Sequence, residues 1–141
     1  MLEYMLDTNI VIYVIKCRPA ELLSIFNRYA GRMCISGITL AELMHGVEKS
    51  SRQEDNRRQV DDFVTRLEVL PYGAKAAFHY GNIRASLERQ GLAIGVNDLH
   101  IAGHARSEGL ILVSNNTREF ERVAGLRLVN WLEPSIPYKE R

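Results

Sequence analysis

Tyr4-Met5-Leu6 is a short apolar run that stops at a carboxylate, Asp7. Such a run is compatible with a buried strand of a parallel sheet. An acid at the C-terminal end of that strand stands at the sheet rim, where open α/β folds place their ligands. Thr8 and Asn9 open a turn, and residues 10–15 resume an apolar run that reads as a short helix. Asp7 also has a plainer role available, as the N-cap of that helix. The two roles are compatible, because a cap oxygen and a metal ligand can share one carboxylate.

The same alternation recurs along the chain. Pro19 suits the first turn of a second helix through about residue 29, ended by Gly31. Residues 32–35 read as a strand, and Thr39 opens a helix that carries Glu42, Leu43 and Val47. Residues 50–58 are polar, an exposed helix start or loop. Val60, Phe63, Val64 and Leu67 then recur at helical spacing. Val69-Leu70 is a brief strand before Pro71. Residues 74–90 are helical, with Ala77, Tyr80, Ile83, Ala85 and Leu87 as core candidates. After a linker over 92–96, residues 98–107 are helical and Gly109 takes the C′ position. Leu110-Ile111-Leu112-Val113 is the clearest buried strand. Residues 118–122 form a short helix, 126–129 a last strand, and 132–141, with Pro134 and Pro137, a loosely packed tail. Strands alternating with helices predict one α/β domain with a mostly parallel sheet and helices on both faces.

With 141 residues the chain is long enough to bury a core of its own. No basic region precedes an apolar stretch at the N-terminus, and no apolar run spans a bilayer. Two cysteines, Cys17 and Cys34, do not make a disulfide framework and fit a reducing cytoplasm. The net charge of +1 is no footprint of a DNA-coating protein. A nucleic-acid partner would have to meet local patches: Lys16, Arg18, Arg28 and Arg32; Arg84 and Arg89; or Arg118, Arg122 and Arg127.

Placed on this frame, the acids gather. Asp7 ends the first strand, Glu42 lies one turn into the helix after the second, Asp98 starts the helix before the fourth, and Asn116 and Glu119 follow that fourth strand. In a parallel sheet those loops emerge at one edge. Clustered carboxylates raise each other's pKa unless a cation joins them. Oxygen ligands with few nitrogens or thiolates suit Mg²⁺ or Mn²⁺, ions that clamp phosphate oxygens in phosphodiester hydrolysis. Each acid alone has a bland role. Thr39-Leu40-Ala41-Glu42 matches a capping box, Asp98 could be an N-cap, and Glu119 could be a surface acid. The joint pattern carries the signal.

Four blocks also carry a resemblance: Met5-Leu6-Asp7-Thr8-Asn9, Ile35 through Leu43, Asn97 through Ala105, and Leu112 through Phe120. In order and spacing they resemble the PIN-domain ribonucleases, and more narrowly the VapC toxins of bacterial toxin–antitoxin pairs. The resemblance spans nearly the whole chain. It implies a PIN-like three-layer α/β/α sandwich and a Mg²⁺- or Mn²⁺-dependent endoribonuclease, with Asp7, Glu42 and Asp98 as metal-binding acids and Glu42 reaching the ion directly or through water. No covalent enzyme intermediate is expected. It further implies a homodimer, a VapB-type antitoxin that covers the site, operator DNA bound only through the antitoxin complex, and a tRNA substrate. The enteric-type members attack the initiator tRNA, which points to its anticodon stem-loop. One departure stands out: the family often has an aspartate where this chain has Asn116, and Glu119 lies close enough to substitute. Ser114 stands where threonine is common.

Other signals are weaker. His100 and His104 have zinc-ligand spacing on a helix but lack the glutamate of the metalloprotease motif. Asp98, Ile101, Ala102 and Ala105 would share the inward face and turn both histidines elsewhere. His45 and His79 read as surface or partly buried residues. Asp7-Thr8-Asn9 also resembles the opening of the haloacid-dehalogenase phosphatase motif, with Asn9 in place of its second aspartate. A metal-dependent phosphatase and a catalytically silent PIN scaffold that binds a partner protein are the two rival readings.

Overall fold

The structure is a computed structural model that describes residues 1–132. Among them five strands, β1 (Tyr4–Leu6), β2 (Met33–Ser36), β3 (Glu68–Leu70), β4 (Ile111–Val113) and β5 (Leu128–Val129), form one sheet in the order β3-β2-β1-β4-β5. All neighbours pair in parallel, with Tyr4 opposite Met33 on one side and Ile111 on the other. The chain winds one way from β1 to β3 and the other way from β4 to β5. The reversal leaves a crevice at the C-terminal ends of β1 and β4, the place where doubly wound sheets bind ligands.

Seven helices connect the strands: α1 (Thr8–Cys17), α2 (Ala20–Arg28), α3 (Gly37–Glu48), α4 (Gln53–Val64), α5 (Ala74–Gln90), α6 (Val96–Ser107) and α7 (Thr117–Phe120). Strand side chains alternate between the faces. Tyr4, Leu6, Met33, Ile35, Ile111 and Val113 enter one core with Ile10, Val14, Phe26, Leu43 and Val60 of α1 to α4. Met5, Cys34, Leu112 and Leu128 enter the other with Ile83, Leu87, Leu99, Ile101 and Phe120 of α5 to α7. This is the three-layer α/β/α arrangement. Among the described residues no helix is long and apolar enough to cross a membrane.

Several boundaries move for local reasons that bear on the site. Helix α1 begins at Thr8 because Asp7 caps it, its Oδ1 accepting the Ile10 N–H at 2.9 Å. Helix α3 begins at Gly37, capped by the Ser36 hydroxyl, so Thr39 is interior and the Thr39–Glu42 capping box does not form. Helix α6 is capped at Gly95, which puts Asp98 in the first turn rather than at the cap. Leu67 lies beyond α4, and Ala76 rather than Ala77 is the buried alanine of α5.

His104 corrects an expectation outright: it is buried, with Nδ1 2.7 Å from Ser36 Oγ. Its neighbour Gly103 faces α5 instead, where a Cβ would meet the Tyr80 backbone N at 2.9 Å. Of the expected loose tail, Leu132 is half-buried and donates its N–H to Asn130 Oδ1; residues 133–141 lie outside the described residues.

Candidate active site

Asp7 is 1% exposed at the end of β1. The Ser114 hydroxyl, from the end of β4, donates to its Oδ2 at 2.6 Å and in turn accepts the Asn116 N–H at 2.9 Å. One carboxylate therefore caps α1 and ties the two strands across the crevice. Burial pushes its pKa up to about 6; the charges of Asp98 and Glu42 add to that, and the hydrogen bonds from Ser114 and Ile10 oppose it.

Glu42 projects from α3 with both oxygens held. The Thr8 hydroxyl donates to Oε1 at 2.5 Å and the Asn97 amide to Oε2 at 3.0 Å. Thr39 Oγ1 stands 3.1 Å from Thr8 Oγ1, which fixes the threonine that holds the acid. All these groups are neutral, so they aim the charge without cancelling it. Asp98 is half-buried on α6, and its pKa also rises to about 6, through burial first and then the charges of Glu119 and Glu42.

Glu119 lies half-buried on α7, near enough to be felt at Asp98. Asn116 precedes α7, and its side chain makes no capping bond. The fold thus brings Asp7, Glu42, Asp98 and Glu119 into one electrostatic field. Among the described residues none of the four has a lysine or arginine at ion-pair distance. Nor do any three His, Cys, Asp or Glu side chains form a ready-made metal cage there. One buried and one half-buried carboxylate at one rim, neither compensated, still suit a hard dication that keeps several waters and takes only one or two protein carboxylates. The donor set fits Mg²⁺ or Mn²⁺.

Sequence reasoning missed Thr8, Thr39 and Asn97 as the holders of Glu42. Their signal was adjacency: Thr8 follows Asp7 and Asn97 precedes Asp98. The hydrogen-bond partner of both, however, lies on α3, more than thirty residues away from either. His100 is not at the rim. Its ring stacks on Tyr80 at 4.0 Å between centroids, and its Nδ1 lies 2.8 Å from the Tyr72 hydroxyl.

The profile of the PIN domain family matches residues 4–126. This chain is a PIN domain. Within that family it belongs to the VapC branch. Over 132 residues it is 64% identical to Ribonuclease VapC2 of Haemophilus influenzae, covering 94% of this chain and 100% of that one. It is 56% identical over 131 residues to the tRNA(fMet)-specific endonuclease VapC of Shigella flexneri, covering 93% and 99%. Among solved structures, DNA-bound VapBC from Salmonella typhimurium superposes with a TM-score of 0.91 at 52% identity, covering 93% of this PIN domain and 99% of that chain.

Proposed function

We propose that this PIN domain is a Mg²⁺- or Mn²⁺-dependent endoribonuclease, the toxin half of a VapBC-type pair, and that it cuts the anticodon stem-loop of the initiator tRNA. The observation that carries the chemistry is the convergence of Asp7 and Asp98, both with pKa raised to about 6, beside Glu42 at the crevice between β1 and β4. The Shigella relative's name supports the substrate. The Salmonella and Rickettsia felis relatives were solved as VapBC complexes on DNA, which supports a VapB-type antitoxin as partner and operator DNA reached through it. In this reading the protein is a cytoplasmic homodimer.

Asp7 and Asp98 would hold the ion, with Glu42 directly or through water and Glu119 adding its charge beside Asp98. Such an ion, when bound, lowers the pKa of water and offsets charge on the scissile phosphate. The chain's own side chains do the positioning. Ser114 and the Ile10 N–H fix the Asp7 carboxylate, while Thr8 and Asn97 fix Glu42. The raised carboxylates make proton loss from Asp7 and Asp98 the condition for a working site.

Incubation with the initiator tRNA stem-loop and Mg²⁺, followed by mapping of the cut ends, tests the reading. Cleavage within the loop, lost in EDTA, is the expected result. Release of phosphate from a small phosphomonoester without RNA cleavage would favour the phosphatase instead. Inertness toward both would leave the silent scaffold.

A further inference from the structure

We propose that the groove between α1, α3 and α4 carries the single-stranded RNA flanking the scissile phosphate, with Lys16 and Lys49 on its backbone. The proposal rests on the ribonuclease reading and adds where the strand runs. The groove has a volume of about 650 Å³, within the range of small-ligand clefts, and is open along its length. Its inner end is the site itself, since Thr8, Glu42 and Asn97 line it. A strand lying in it would reach Glu42, with Thr8 and Asn97, the sequence neighbours of Asp7 and Asp98, beside it.

Charge decides the occupant. Among the described residues Glu42 is the only acid lining the groove, whereas Lys16, His45 and Lys49 all face it. Neither lysine makes an ion pair among the described residues. The arginines nearby differ: Arg52 and Arg58 are spent on Asp55, Arg57 on Asp61 and Arg66 on Asp62. Lys16 sits in the last turn of α1 and Lys49 caps α3, where helix dipoles favour a cation.

The rest of the lining fits a nucleotide chain. Ile12, Leu43 and Val60 make an apolar floor, and Asn9, Asn56 and Gln59 offer amides around it. No Phe, Tyr or Trp lines the groove among the described residues, and His45 is the one ring there on which a base could stack. Contacts of this kind hold register through phosphates and carry little base identity. A protein of net charge +1 needs such a local track to hold RNA.

The test compares wild type, Lys16→Gln/Lys49→Gln and, as a control outside the groove, Lys75→Gln. The initiator tRNA stem-loop is the probe, with cleavage followed in Mg²⁺ and binding in EDTA across a KCl series. The double variant should raise KM several-fold at nearly unchanged kcat. It should also flatten the slope of log affinity against log salt by about 1.4, at about 0.7 for each phosphate contact on a single strand. Lys75→Gln should match wild type. Unchanged KM, affinity and salt slope in the double variant overturn the proposal. So does intact RNA binding with weakened antitoxin binding, which would give the groove to the antitoxin. Wild type that binds the stem-loop through these lysines yet never cuts it sinks the nuclease reading and leaves the groove standing.

Discussion

Replacing Asp7 by asparagine should stabilise the metal-free protein at pH 8 while abolishing cleavage. Burial raises the Asp7 pKa from 3.8 to about 6, so folding with this group ionised is penalised. At about 1.4 kcal/mol per pH unit of displacement, the penalty is on the order of 3 kcal/mol. The folded chain holds the proton more tightly than the unfolded one. The penalty is therefore absent below about pH 4, grows as pH rises toward 6 and is complete above it. Asparagine fits the same contacts. Its oxygen can accept the Ile10 N–H, and its amide can donate to Ser114 Oγ once that hydroxyl turns its hydrogen away. Urea melts in EDTA at pH 8 and pH 5 measure the effect. A gain of up to about 3 kcal/mol at pH 8, or roughly 10 °C in Tm for a chain of this size, should shrink markedly at pH 5. A variant less stable than wild type at pH 8, or a gain that ignores pH, would refute the reasoning.

Three further outcomes follow from the same geometry. Glu119→Gln should weaken metal-dependent cleavage across a Mg²⁺ titration, with Asn116→Asp partly restoring it in the double variant; in the metal-free protein it should also lower the Asp98 pKa by removing a like charge, read by carboxyl NMR. Thr8→Val and Asn97→Ala should each cut kcat on the stem-loop far more than they change KM, because each frees one oxygen of Glu42; equal kcat would show that the clamp is idle. Gly103→Ala should cost about 1–3 kcal/mol in urea melts, since the added methyl would press on the Tyr80 backbone at 2.9 Å.

Most of the frame was legible because its signals are local. Most strands centre on short apolar runs, and Gly109 and Gly91 end their helices with positive φ, as their sequence positions suggested. The acids were legible by the same route: a parallel sheet puts the ends of β1 and β4 on one edge, and Asp7 and Asn116 follow those strands. What escaped depends on contacts between distant elements. No local pattern says that His104 turns inward, because its partner is the Ser36 hydroxyl at the end of β2, far away in sequence. Ser36 rather than Thr39 caps α3, since β2 runs one residue further than its apolar stretch and delivers the hydroxyl at the turn. The bland reading of Asp7 as a cap was correct and did not compete with the functional one.

The distribution of charge fits the proposed metal site even with an amide at position 116. The loop after β4 contributes no carboxylate, and the acid nearest it on α7 acts on Asp98, where its charge ranks ahead of that of Glu42. At Asp7 the neighbouring charges are those of Asp98 and Glu42. Glu42 is thus the one acid felt at both raised carboxylates. It would be repelled from that position unless something held it. Thr8 and Asn97 supply the hold, and each sits next in sequence to one of the two acids that Glu42 must stay near. Because both donors are neutral, the repulsion they contain remains available to favour a dication. An arginine or lysine in either place would stabilise the metal-free protein and weaken the attraction for the proposed dication.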